Sequence, residues 1–309
     1  MRKYYTRACN FSYGTNSRKL VKSKINLPLC GNSSISFNQI EIFTRDNHKV
    51  KSKIINIKDI KKISPSLKKI IYKDIKKITA KREFLRKKPH VLMGVLNITP
   101  DSFSDGGKFN SFKKALNRIS GMIKAGADII DIGGESTRPG SKIINQSEEL
   151  IRVKKIIEKF KKRFSNILLS IDSRKSLVIK HSIKHKADII NDVSCFKFDP
   201  NSLDEVKNKN LWKIIHHMQG TPQTMQINPK YNHVLLDIYD FFEQKINQFK
   251  KDKYKKKLIL DPGIGFGKNL KHNLMILNKV SIFHSLGFPI LIGTSRKRFI
   301  NQISGKYDT

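Results

Sequence analysis

The 309-residue chain is predicted to be an α/β protein whose main part is a (β/α)8 barrel of the TIM-barrel class. Three observations lead there. From residue 90 onward, short apolar runs rich in Ile, Val and Leu alternate with stretches at helical spacing. Those runs show no hydrophobic–polar alternation, which marks strands buried on both faces of a parallel sheet. Seven strand–helix steps fill about 200 residues, which suits a closed barrel better than an open sheet.

The elements follow in order. Residues 1–46 are sparsely patterned, although "SISFNQIEIFT" (34–44) alternates enough for a strand. Residues 49–88 hold 16 Lys or Arg against 3 acidic residues. Within them Leu67, Ile70, Ile71, Ile75 and Ile78 recur at helical spacing, with Ser64 placed as N-cap and Pro65 as first helical residue. The spacing predicts a helix packed by its Ile face with its Lys face in water; a membrane-surface or nucleic-acid patch is the sharper alternative. The barrel strands are expected at "HVLMGVLNIT" (90–99), "ADIIDIGG" (127–134), "NILLSIDS" (166–173), "ADIINDVS" (187–194), "LWKIIHHM" (211–218), "LILDPGIG" (258–265) and "PILIGTS" (289–295). Helices are expected near 111–125, 146–164, 174–185, 201–209, 232–250 and 270–286. The chain thus divides into a lysine-rich N-terminal extension of unknown role (1–89) and a barrel domain (90–309).

Composition narrows the function classes. Hydrophobic residues at 38% and charged residues at 28% describe a soluble globular protein. No apolar run approaches the ~20 residues that span a bilayer, and "MRKYYTRACNFSYG" lacks the apolar core of a secretory signal. Cys9, Cys30 and Cys195 share no metal-ligand spacing and cannot all pair, which favours a reducing cytoplasm. The net charge of +37 would ordinarily suggest a polyanionic partner. Its lysines are spread along the whole chain, so a general compositional bias explains them better than a nucleic-acid face.

Every expected barrel strand ends in polar residues: Asn97 and Thr99; Asp131 with "GGESTRPG" (133–140); Asp172; Asn191 and Asp192; His216 and His217; Asp261; then Ser295, Arg296 and Lys297. In a parallel barrel all strand C-termini meet at one mouth, where sites are built. One Asp at a strand end is usually a cap; the coincidence across seven strands points to a site. Asp172, Asn191 and Asp261 suit the edge of a nitrogen heterocycle, since a carboxylate can take two N–H groups of an amino-amidine in parallel. Lys297 and Arg138 supply positive charge and fixed donors. Asn97 and Thr137 offer neutral oxygens for Mg2+ or a phosphate. "PGIGFGKN" (262–269) fails as a phosphate loop, because Pro262 and Asn269 stand where Gly and Ser or Thr are needed. His216 and His217 lack partners at zinc spacing and read as rim residues.

"GVLNITPDSFSDGG" (94–107) with "GADIIDIGGESTRPGS" (126–141) resembles the signature pair of the dihydropteroate synthases. "SIDS", "INDVS", "HHMQGTPQTMQ", "DPGIGFGK" and "GTSRK" follow in that family's order, so the resemblance covers residues 90 to about 305. It implies a transferase that condenses 7,8-dihydropterin-6-ylmethyl diphosphate with 4-aminobenzoate, giving dihydropteroate and pyrophosphate in folate biosynthesis. Asp172, Asn191, Asp261 and Lys297 would hold the pterin ring, with Thr137 touching the pterin substrate and Met218 beside it. Asp172, Asp261 and Lys297 would act in catalysis, and Asn97 would bind the Mg2+ that accompanies the diphosphate. Phe103, Thr137, Arg138, Pro139, Gly265 and Phe266 would help enclose 4-aminobenzoate. "NITPDSFSDGG" and "GESTRPGS" would be rim loops closing over the substrates. A homodimer with small-molecule substrates completes what the resemblance implies; composition, for its part, predicts no membrane association and disfavours a nucleic-acid partner.

Two departures stand out. Arg298 follows "SRK" where some members carry Ser, and the chain reaches "ISGKYDT" (303–309) before the expected eighth strand with its Arg-x-His group. That leaves the first and seventh strands unpaired, so an incomplete chain with little or no turnover is the expectation. The other explanation is that residues 34–44 supply the missing strand. Rival functions are a pterin-dependent methyltransferase domain, which the "ESTRPGS" loop and "SRK" oppose, and an inactive barrel carrying a basic binding module.

Overall fold

The computed structural model describes residues 2–84, 88, 90–99, 108–136 and 141–305. The chain forms two units: one takes residues 1–89, 230–243 and 270–290, the other 90–229, 244–269 and 291–309.

The first unit is built on an antiparallel sheet. Strands β1 (Lys3–Tyr13), β2 (Leu27–Leu29), β3 (Asn32–Asp46) and β4 (Lys49–Asn56) surround the long β3. One side of β3 pairs β1 over its length; the other pairs β2 early and β4 late. The β3–β4 hairpin turns at Asn47, in the left-handed region at φ 52°, which Asn tolerates better than most residues. Helix α1 (Gly14–Lys22) links β1 to β2, and α2 (Pro65–Thr79) follows β4 after a 3-10 turn. Pro65 does open α2, and Ser64 occupies the N-cap position without a side-chain capping bond. Ile71, Ile75 and Ile78 are buried against Phe37, Ile40 and Ile42 of β3, while the lysines of α2 stay outside. The expected Ile face is therefore the packed one, except that Ile70 is exposed. Residues 34–44 lie inside β3, paired antiparallel to β1, β2 and β4; they do not supply a barrel strand.

Charge pairs complete this unit. Tyr5 meets Tyr239 edge-on at 5.1 Å, and Arg45 binds Asp237 at 2.6 Å and Asp240 at 2.9 Å. Buried Glu41 is held by Arg7 at 2.7 Å and Lys279 at 2.7 Å.

The second unit carries a six-stranded parallel sheet in strict chain order: β5 (Met93–Asn97), β6 (Ile129–Gly133), β7 (Leu168–Asp172), β8 (Ile189–Asp192), β9 (Trp212–His216) and β10 (Leu258–Asp261). Four of them, β6 and β8 to β10, are buried at nearly every position, as strands covered on both faces must be. Helices α3 (Lys108–Lys124), α4 (Gln146–Arg163), α5 (Ser176–Lys184) and α6 (Ser202–Val206) return the chain between β5 and β9; of the later helices, most of α7 (Val234–Gln248) and all of α8 (Leu270–Lys279) belong to the first unit. Asn145 caps α4 by accepting the Glu148 N–H at 2.8 Å. The expected seventh strand is reduced to a bridge at Ile290 and one bond, from Leu291 N–H to the Leu260 carbonyl at 2.9 Å. Helix α9 (Arg298–Ser304) follows. Among the described residues β5 and β10 are the edges, so the ladder is an open run of barrel strands.

Candidate active site at the strand C-termini

Parallel register brings the predicted residues together. Asn97, Gly133, Asp172 and Asn191 are direct lateral partners across β5, β6, β7 and β8. Across β9 and β10 the polar row steps two residues further along, to His216 opposite Asp261. Such a stagger is what tilted barrel strands impose. Gly133 is small for a reason: a Cβ there would lie 3.3 Å from Asn97 Oδ1 and 3.3 Å from Asp172 Cβ.

Asp261 is fixed from two sides. Its carboxylate faces His216 Nδ1 at 3.2 Å and accepts the Gly263 N–H at 2.8 Å. Burial pushes its pKa up, but His216, the Gly263 N–H and Lys297 together bring it below the ordinary carboxylate value. Asp261 therefore stays ionised. Asn191 donates from Nδ2 to Asp131 Oδ2 at 2.9 Å, which sets the orientation of its amide. The buried Asn191 Oδ1 is left without a hydrogen-bond partner. An oriented, buried acceptor with no protein donor is available to a ligand N–H.

Asp172 is different. Loss of hydration, then the carboxylates Asp131, Glu149, Asp192 and Glu135, hold its pKa well above the ordinary value. Asp131 is also raised, by burial first, with Asp261 adding to the effect. Glu135 and Glu149 have cations of their own: Arg174 reaches Glu135 at 2.9 Å, and Lys175 reaches Glu149 at 2.7 Å. The mouth thus carries an unbalanced group of acids around Asp172, suited to a ligand that brings N–H groups or positive charge.

Lys297 enters from the loop before α9. Its Nζ lies 4.2 Å from the centre of the Phe266 ring. Burial lowers its pKa, against the pull of Asp261 and Asp172. Phe266 in turn meets His216 edge-on at 4.7 Å. The glycines of "PGIGFGK" serve close approach. Gly263 has φ +65° and a Cβ there would fall 1.9 Å from the His217 carbonyl; at Gly267 it would fall 2.6 Å from the Gln219 carbonyl. Lys268 completes this packing, donating to the Phe266 carbonyl at 2.8 Å and lying 3.1 Å from His217 Nδ1. Burial brings its pKa down to about 7.

The structure therefore gathers Asn97, Asp172, Asn191, Asp261, Gly265, Phe266 and Lys297 in one unit, with Met218 just past β9. Phe103, Thr137, Arg138 and Pro139 lie outside the described residues. Sequence reasoning placed Asp131 and His216 at strand ends but missed two pairings, Asp131 with Asn191 and His216 with Asp261, because both depend on register.

The pterin-binding enzyme family matches residues 93–309. The chain belongs to the dihydropteroate synthases of that family. It is 45% identical over 216 residues to dihydropteroate synthase of Escherichia coli K12, covering 70% of this chain and 76% of that one. The Yersinia pestis dihydropteroate synthase, solved with a sulfonamide drug, superposes with TM-score 0.64 at 42% identity, covering 70% of this chain and 77% of that one. The Xanthomonas albilineans enzyme in complex with 7,8-dihydropteroate gives TM-score 0.62 at 32% identity, covering 71% and 77%. The open run of six parallel strands is thus the described part of a barrel shared by dihydropteroate synthases. The family match begins at residue 93, so strands β1 to β4 and helices α1 and α2 lie outside it.

Proposed function

We propose that the chain condenses (7,8-dihydropterin-6-yl)methyl diphosphate with 4-aminobenzoate, releasing pyrophosphate and forming 7,8-dihydropteroate. The observation that carries this reading is the meeting of ionised Asp261, the oriented Asn191 amide, acid-crowded Asp172 and Lys297 at one rim. Asp261 takes the paired N–H groups of the pterin's amino-amidine edge, held in place by His216 and the Gly263 N–H. Asn191 Oδ1 accepts a further ring N–H. Lys297 donates to the pterin carbonyl, and Phe266 offers a ring face beside 4-aminobenzoate. Thr137 adds a pterin contact, and Phe103, Arg138, Pro139 and Gly265 enclose the second substrate.

An Mg2+ ion fits the donor set. Asn97 presents one neutral amide oxygen at the exposed end of β5, and Mg2+ arriving on a diphosphate keeps most of its own water. When bound there it would neutralise the charge of the leaving group.

The protein's own residues do the rest. Asp172 and Asp261 stabilise the positive charge that spreads from the methylene carbon into the pterin ring as the C–O bond breaks. The site holds the arylamine about 3–3.5 Å from that carbon. Attack forms the C–N bond, and the amine proton passes to water, since so electron-poor a carbon needs no strong base. A homodimer of this chain is the assembly we propose. The test is calorimetric titration of the 309-residue chain with the dihydropterin diphosphate and Mg2+, beside Asp261→Asn. Binding by the wild type that the variant loses is the expected result; equal binding by both removes Asp261 from the pocket.

A further inference from the structure

One cluster of metal-ligating side chains lies apart from the mouth. Glu158 stands late in α4; His181 and His185 stand one turn apart at the end of α5. The ligand atoms of all three come within 4.8 Å of one another. His181 Nε2 is 3.5 Å from Glu158 Oε1, and the two imidazole rings are 4.5 Å apart, centre to centre. Both histidines share one face of α5 because residues four apart do.

Two features separate this cluster from a chance surface grouping. The first is the orphaned nitrogen: His181 Nε2 is buried and makes no hydrogen bond, although an acceptor stands at 3.5 Å. A simple histidine–carboxylate pair would have closed that gap. The second is rigidity. The end of α5 is closed by Ala187 N–H on the Ser182 carbonyl at 3.0 Å and Lys186 N–H on the Ile183 carbonyl at 3.1 Å, with Lys186 at φ 65°. This double bond pattern is a Schellman closure and fixes the backbone that carries His185.

We propose that Glu158, His181 and His185 form a binding site for a borderline divalent cation of the Zn2+ type, clamping α4 to α5. Two imidazoles and one carboxylate match that class and leave a fourth position for water. Metal–ligand bonds of about 2.0–2.2 Å put the ligand atoms of a tetrahedral site roughly 3.3 Å apart. Glu158 and His181 already stand near that spacing; a side-chain rotation brings His185 in. In a strand–helix–strand unit the late turns of a helix lie toward the N-terminal ends of the strands, away from the mouth. The clamp is therefore structural and independent of the substrate site.

The test titrates the full chain, freed of metal with a chelator, with Zn2+ alone. One equivalent should bind with a micromolar dissociation constant and raise the melting temperature. His185→Gln should weaken binding at least tenfold and abolish the thermal shift, as should Glu158→Gln. His48→Gln, at a hairpin remote in sequence from α4 and α5, should change neither. Replacing Zn2+ by Co2+ should give visible ligand-field bands of a four- or five-coordinate ion that disappear in His185→Gln. No binding by the wild type overturns the proposal. So does binding that survives both His185→Gln and Glu158→Gln, which would place the ion at other histidines such as His216 and His217.

Discussion

Glu41 in the antiparallel-sheet unit and Asp172 at the end of a barrel strand are both carboxylates withdrawn from bulk water, and they are displaced in opposite directions. Burial alone would raise both. Around Glu41, hydrogen bonds from Lys279 and Arg7 overcome burial and hold the pKa below its ordinary value. Around Asp172 the neighbours are further acids, and the pKa is driven well above it. The first unit has matched its charges internally, as Asp240 between Lys3 and Arg45 shows again. Asp74 departs from that pattern: it is raised by burial, with Thr6 as its hydrogen-bond donor at 2.8 Å. The mouth leaves a charge imbalance that, in the proposed function, the substrate completes. Structural acids and site acids are thus distinguished by who supplies the counter-charge.

The largest effect expected from this contrast is on Asp261, whose pKa is held below the ordinary carboxylate value. Asp261→Asn replaces an acceptor-only group by one that presents an N–H toward the pterin edge and weakens the contact with His216. Pterin binding should fall by about 3–4 kcal/mol, or two to three orders of magnitude in affinity. Calorimetry reads it directly, and a loss under threefold would mean that the substrate does not supply the counter-charge.

Glu41→Gln comes next and acts on stability. Breaking a buried ion pair costs about 3–5 kcal/mol where the abandoned cation cannot reach water. Arg7 and Lys279 keep 13% and 29% of their side-chain surface exposed, so a loss of about 2 kcal/mol is expected. The pH dependence fixes the sign. A folded pKa below the unfolded one gives stability that is present above the ordinary carboxylate value and lost as pH falls through the folded value. Melting curves of wild type and variant should therefore differ most near neutrality and converge on acidification. A difference that grows as pH falls would contradict the pairing.

Much of this was legible beforehand, for identifiable reasons. Unalternating runs such as "ADIIDIGG" and "LILDPGIG" reported burial on both faces, so the parallel sheet and its helices fell where expected. The rim residues were legible because strand C-termini share one end, which requires order but not register. The antiparallel sheet was largely missed. Strand β1 "KYYTRACNFSY" buries Thr6 and Cys9 but carries Arg7 between them, so no clean alternation survives. Strand β4 "KVKSKIIN" is exposed through its centre and is held by backbone pairing to β3, which leaves no hydrophobic trace. The seventh strand was over-read: "PILIGTS" has the composition of a strand but forms a single bridge, because pairing depends on neighbours that composition does not report.

Asp172→Asn sharpens the contrast from the other side. The ionised form of Asp172 opposes folding once pH exceeds the ordinary carboxylate value, since its folded pKa is raised. Wild-type stability from this group is thus greatest at low pH and declines as pH rises toward the folded value. Removing the charge should stabilise the empty protein by about 1 kcal/mol at neutral pH, with the gain fading on acidification. The same variant should bind the pterin about tenfold more weakly. A variant less stable than wild type at neutral pH would mean that Asp172 has a structural role like that of Glu41.

The smallest effect is expected at Tyr5→Phe. The Tyr5 hydroxyl lies 3.1 Å from both oxygens of Asp240, and removing a buried donor can cost about 1–3 kcal/mol when the acceptor is abandoned. Here it is not abandoned. Lys3 at 2.6 Å and Arg45 at 2.9 Å both remain on Asp240, and the ring keeps its edge-on contact with Tyr239. With two cations in place, the neutral donor is redundant, and the expected cost is about 0.5 kcal/mol or less. Chemical denaturation would resolve this from the 2 kcal/mol that a dependent acceptor would lose. The larger value would show that the cations on Asp240 do not balance it, and the first unit's charges would then be no better matched than those at the mouth.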